Sequence, residues 1–470
     1  MRTSAVLLLL LCAPAAGAQA AQSSDTRPRT VPTAAPSQQP AQPATTPAPQ
    51  PVPARQQPAP TPAPQAQPPM PAANPAPSQS QPTDDAPAQT PAAPVVVPTA
   101  TPAPFLALQP AKPIAPNKVR EHREEALRAL RTRVSPTALP SLTFVTLAAL
   151  DPEDSKVHLV TLPKATFLRQ HSEVTLYSTL GTPLRVRIVR PNYVNTAVVI
   201  SDLTGRQFAP LLVEYPIEKF GRYRETAYYT SAHPALITPD LVKQGQTYVR
   251  TMVDLAARRL RDKGQYMGPE VLDMAERLCI VEHIDHTRFL REPRRQLLEE
   301  VYALYALNEL DTYRYSVSSA GAGGMVQMIA PTYAFLRQRY PAVGLNPDFV
   351  AGMRNHGNAL EAMLLYIRDT WSDLNLNADI SAARAAGQAS RDELIAAGYN
   401  SNPARLASYI RRGGTAWRTL IPRETQMYLQ ILNAFNAFTP IKPRAEQNAR
   451  PAPSPAPATQ PATAPPGGDN

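Results

Sequence analysis

The sequence predicts an α+β fold: a small antiparallel β module and a mostly helical domain, set between a disordered Pro/Ala-rich spacer and a disordered Pro-rich tail. Three observations predict it. The 470 residues include 55 Pro but only 19 Gly, and the prolines concentrate in 21–117 and again in 439–470. Between those segments apolar residues alternate with period two over 151–216, and on either side they recur at helical spacing. Scarce glycine with no three-residue period excludes collagen, and two cysteines exclude a disulfide scaffold.

Taken in order, Arg2 precedes an apolar run, 5–13, built on Leu7 to Leu11, and small residues follow up to Ala18 and Ala20. This is the pattern of a secretory signal over 1–20, and the run is too short to span a bilayer. The protein is therefore expected to be exported, to the periplasm or cell envelope. Once Cys12 leaves with the signal, Cys279 is the sole thiol and is expected to be buried or unpaired. Residues 21–117 cycle through Pro, Ala, Gln, Thr and Ser, too little apolar surface to offset the entropy of ordering, so they read as an extended spacer. Such a spacer, or the β module, could hold the chain to an envelope protein complex. No later segment has the apolar length of a transmembrane helix. A net charge of +10 points to polyanionic surroundings. Export makes a wall polymer or anionic lipid the expected partner, and no nucleic acid.

Residues 118–230 read as a helix followed by the β module. Val119, Ala126, Leu127 and Leu130 share a helix face. Strands are expected at 173–177, 184–190, 197–200 and 211–215, with Leu184, Val186 and Ile188 alternating with Arg185 and Arg187 as on a strand with one wet face. A helical connector, 231–291, carries Val249, Val253, Ala256 and Leu260, then a second helix from Pro269 through Leu272, Ala275 and Cys279. It ends in Glu282, His283, Asp285 and His286. Two such histidines and a carboxylate could share a metal, but the spacing matches no specific metal signature and reads as a charged segment capping a helix. No metal or cofactor is expected.

From 292 to 438 a third pattern appears. Leu298, Val301, Leu304, Tyr305 and Asn308 lead to Glu309, and a Gly-rich stretch, 318–324, precedes Met325, Val326, Gln327 and a helix restarting near Pro331. A carboxyl at a helix C-terminus beside Tyr305 and Leu310 could hold a raised pKa and act as a general acid.

Glu309, Ser318 nine residues on, then Gly321, Ala322, Gly324 and Gln327 resemble the core of the lytic murein transglycosylases, goose-lysozyme-like enzymes of the bacterial wall. Two further segments follow in family order. Residues 396–403 (Ala-Ala-Gly-Tyr-Asn-Ser-Asn-Pro) resemble Ala-Ala-Tyr-Asn-Ala-Gly-Pro, and 421–429 (Ile-Pro-Arg-Glu-Thr-Gln-Met-Tyr-Leu) resemble Ile-Pro-x-Glu-Thr-Arg-x-Tyr-Val. Residues 358–366 loosely fit the helix between them. The likeness is nearest the membrane-bound D type, without a LysM repeat. It departs where Leu310 replaces Ser, Val326 replaces Met, Gly398 replaces Ala and Asn402 replaces Gly.

The resemblance implies a lysozyme-like catalytic domain at 292–438 acting on peptidoglycan glycan strands. It makes Glu309 the single acid/base, with Ser318 steadying that carboxyl or the substrate. Met325 and Gln327 would line the cleft, and Tyr399 and Asn400 would contact the sugar or position the acid; Glu424 and Tyr428 would be structural. The implied reaction protonates the MurNAc–GlcNAc bond oxygen and closes the muramic C6 hydroxyl onto the sugar as a 1,6-anhydro end. Two other readings stand beside it: a lysozyme-type hydrolase, for which Asp311 is the nearest second acid in sequence, and a non-catalytic wall-binding scaffold.

Overall fold

The structure, a computed structural model, describes residues 108–133 and 141–445, all of them within one compact unit. The signal reading for 1–20, the spacer over 21–107 and the tail over 446–470 lie outside the described residues; the remaining ends of the expected disorder, 108–117 and 439–445, are instead ordered, because Ile114 packs on the core and donates its N–H to Ala235 O and Arg444 is held by three carboxylates. About 53% of the described residues are helical and 17% are in strands.

The chain opens with α1 (Pro116–Thr132) and continues through β1 (Phe144–Leu150), β2 (Val157–Pro163), the single turn α2 (Lys164–Phe167), β3 (Glu173–Tyr177), β4 (Pro183–Arg190), β5 (Ala197–Ser201), β6 (Gln207–Lys219) and β7 (Arg222–Tyr229). The remainder is helical: α3 (Pro239–Asp262), α4 (Pro269–Val281), α5 (His286–Phe289), α6 (Arg294–Asn308), α7 (Ala330–Arg339), α8 (Phe349–Arg354), α9 (His356–Asn375), α10 (Ala378–Ala385), α11 (Arg391–Asn400), α12 (Leu406–Gly413) and α13 (Arg423–Phe438). None of the described helices is long and apolar enough to cross a membrane.

All strand pairings are antiparallel, in the order β2-β1-β6-β5-β4-β3, with β7 also on β6. The four expected strands coincide with β3, β4, β5 and part of β6, and the alternation in β4 is real: Leu184, Val186 and Ile188 are buried while Arg185 and Arg187 remain partly exposed. β1, β2 and β7 were not expected. Six of the seven residues of β1 are buried, so it shows no alternation to read. β6 contains Pro210 and shifts register opposite Ala148 and Ala149, a bulge where a residue without an N–H is tolerated.

The sheet and the helices share one continuous core, running from Val145, Phe208 and Tyr229 into Tyr302, Leu364 and Phe435. A smaller cluster seats α1 on other sheet residues through Val119, Ala126, Leu130, Leu150 and Leu211. α3, expected in a connector, packs on α4, α6 and α9. It approaches α6 so closely at Gly245 that a Cβ there would lie 1.9 Å from the Tyr302 carbonyl oxygen. Backbone cannot swing aside as a side chain can, so Gly245→Ala is expected to destabilise the protein by about 2–3 kcal/mol, measured as a shift in the chemical denaturation midpoint at unchanged m-value.

Candidate functional site

α4 is buried almost all round, with Met274, Ala275, Leu278, Cys279 and Ile280 in the core beside Asp273 and Glu276, and it ends on a carboxyl. Glu282 is its C-cap, its N–H bonded to the Leu278 carbonyl at 3.0 Å. The Cys279 carbonyl, one of the helix's terminal acceptors, receives the Tyr305 hydroxyl of α6 at 3.0 Å. The Glu282 side chain opens onto a cavity whose other walls are Gln327, Met328, Ile329 and Thr332 from the Gly-rich loop and the start of α7, Tyr366 from α9, and Tyr399 and Asn400 from α11. The cavity, about 30 Å³, admits a water-sized group and not a sugar ring.

The Tyr428 hydroxyl of α13 donates to Glu282 Oε1 at 2.6 Å. Loss of hydration pushes the Glu282 pKa up to about 8; the Tyr428 hydrogen bond opposes the shift and the charge of Glu424 adds to it. The negative end of the α4 dipole acts in the same upward direction. Glu282 is therefore a neutral acid near pH 7. With Oε1 accepting from Tyr428, the carboxyl can keep its proton on Oε2.

The loop opposite is held by two donors on consecutive carbonyls. His283 Nε2 donates to Met325 O at 3.0 Å and the Tyr399 hydroxyl donates to Val326 O at 2.6 Å. The His283 ring lies flat against Tyr313, centroids 3.4 Å apart, and burial pushes its pKa down to about 3, so it works as a neutral donor. Gripped this way, Gln327 sits at φ 45°, a conformation non-glycine residues hold only when their surroundings enforce it. Its Nε2 donates to Gly324 O and Ser316 Oγ. Asn400 Oδ1 is buried with no hydrogen-bond partner, an acceptor available on the cavity wall.

Of the six residues expected to form the site, Gln327, Tyr399 and Asn400 come together here. Met325 is fully buried in the core and contributes its carbonyl rather than its thioether. Ser318 caps its own turn, its Oγ accepting from Ala322 N at 3.0 Å. Glu309 does not line the cavity. It is exposed, follows the last turn of α6 at φ 47°, and with Asp311 it faces Arg123 of α1 electrostatically. The carboxyl that does meet the loop is Glu282, brought there by the packing of α4 on α9, α11 and α13 although α5 and α6 separate it from Ser318 in sequence. The sequence signal for it was the apolar run Leu278, Cys279, Ile280 and Val281 ending a helix in Glu. The neighbours of Glu282 in sequence form no shared metal centre: His283 holds the loop, and Asp285 caps α5 by accepting from Arg288 N.

No protein-family model matches this chain, and neither a curated protein nor a solved structure resembles it at a significant level.

Because its folded pKa is raised, Glu282 contributes stability that is fully present below about 4.5 and is lost as pH rises through about 8. Glu282→Gln is expected to remove that decline and to make the protein more stable than wild type at pH 8. Tyr428→Phe, which deletes a donor to the anion, is expected to move the decline to higher pH. Urea denaturation across pH 4–9 measures both.

Proposed function

We propose that this chain is a lytic murein transglycosylase whose single acid/base is Glu282. One observation carries the reading: a neutral, enclosed carboxyl shares a cavity with Gln327, Tyr399 and Asn400, the residues that the family resemblance assigns to the substrate cleft. The domain is lysozyme-like on this reading and begins at α4 rather than at residue 292.

The glycan strand lies over the mouth of the cavity, and the bond oxygen between MurNAc and GlcNAc dips toward Glu282. Protonation of that oxygen by the carboxyl releases the leaving sugar. The carboxylate so formed, held by the Tyr428 hydroxyl, takes the proton of the muramic C6 hydroxyl as its oxygen closes on the anomeric carbon. Acid and base are thus the same group at two moments, which a pKa near neutrality permits. The unpartnered Asn400 oxygen is placed to accept from a sugar hydroxyl or acetamido N–H, and orientation of the strand supplies much of the remaining acceleration. The exported location read from residues 1–20 puts the enzyme beside its substrate.

A lysozyme-type hydrolase needs a second carboxylate. Glu424, whose charge raises the pKa of Glu282, is the specific observation in favour of that second reading; Asp311 lies with Glu309 toward α1 and is not part of it. Product chemistry separates the two. Sacculi digested with the full chain are expected to yield 1,6-anhydro ends by mass spectrometry, whereas reducing ends would establish the hydrolase. Glu282→Gln is expected to lower cleavage by at least ~10²-fold with sacculus binding kept, and Glu309→Gln to leave cleavage near wild type. The reverse pattern would return the acid to Glu309.

A further inference from the structure

At the β1–β2 turn a second group of ionisable side chains stands apart from the cavity. Asp151 follows β1, Asp154 lies in the turn and His158 is the second residue of β2; one ligand atom from each lies within 4.8 Å of the others. Asp151 and His158 are 5% and 3% exposed, while Asp154 is open to solvent. His158 Nδ1 is bonded to Ser178 Oγ at 3.0 Å, and its Nε2 is buried with no partner. A buried ring nitrogen left unpaired on an imidazole that stands beside two carboxylates needs a physical reason.

We propose that Asp151, Asp154 and His158 bind a divalent transition-metal ion of the zinc type. One imidazole nitrogen with two carboxylate oxygens suits Zn²⁺ better than the all-oxygen preference of Ca²⁺ or Mg²⁺, and water completes the coordination. Burial lowers the His158 pKa, keeping the ring in the neutral form that ligates metal.

Two cations already face the carboxylates, and they act differently. Arg206 contacts Asp151 Oδ2 at 3.1 Å and is also held by Asp202 and Glu153, so it stays in place and orients Asp151 from behind. Lys156 contacts Asp154 Oδ2 at 2.9 Å with 65% of its side chain exposed; such a surface pair is weak, and Lys156 swings away when metal enters. Ser178 belongs to the β3–β4 turn and Arg206 to the β5–β6 turn, while Gln109 N bonds Gly205 O at 3.1 Å beside the latter. A bound ion therefore fastens three turns together at the end of the sheet where the segment from the spacer joins.

Isothermal titration of the metal-stripped full chain with Zn²⁺ tests this. One ion per chain with micromolar affinity is expected, weakened at least ~10-fold by Asp154→Asn, an exposed substitution that leaves the fold intact. Lys156→Ala is expected to tighten binding several-fold, a gain that misfolding cannot mimic. No Zn²⁺ binding by the wild-type chain, or binding unchanged by both substitutions, overturns the proposal.

Discussion

The hydrogen bond between the Tyr428 hydroxyl and Glu282 Oε1 is the contact on which the site's geometry depends. A carboxyl removed from water is costly unless it is neutral or well bonded, and here it is both. To make the contact, α4 must stop at Glu282, α13 must pack on α4, and the Gly-rich loop must close the remaining side. The loop is closed by His283, the residue after the acid, and by Tyr399, each holding one of two adjacent carbonyls. The carboxyl and the strained Gln327 are thereby referenced to the same backbone.

Around this centre, charge is buried only where it is paired. Arg444, just past α13, reaches Asp254, Asp273 and Glu276, at 2.7 to 2.8 Å in each case, and ties the C-terminal end of the described chain to α3 and α4. Arg259 of α3 and Lys263, which caps that helix, meet Glu361 of α9, which is 1% exposed. Removing one partner from such a group strands the other charge out of water, which is far more damaging than the net worth of the pair.

The sheet is part of the same construction. Asn308, at the end of α6, exchanges hydrogen bonds with the backbone of Thr230 just after β7. Glu225 of β7 pairs with Arg314 and Arg354, on the two segments that flank the Gly-rich loop. β7 thus braces the interposed α5–α6 segment from one side while α3 supports it through the close approach at Gly245.

Local pattern was enough to read the strands with one wet face, the helix faces of α1 and α3, and the restart of a helix at α7, because each depends on periodicity within a few residues. It also drew Gln327, Tyr399 and Asn400 into one set. It could not find β1, buried on both sides, because that strand's environment comes from elements distant in sequence. Nor could it choose between two carboxyls at helix ends. Glu309 and Glu282 look alike as sequence, and counting residues back from Ser318 favours the former; which of them meets the loop is decided by the packing of α4 against α9, α11 and α13, which brings Glu282 to the loop although α5 and α6 separate the two in sequence. Enclosure, the Tyr428 donor and the field of Glu424 exist only once α4, α11 and α13 are packed; enclosure and Glu424 raise the pKa of one glutamate against the opposing pull of Tyr428, while the other stays in solvent.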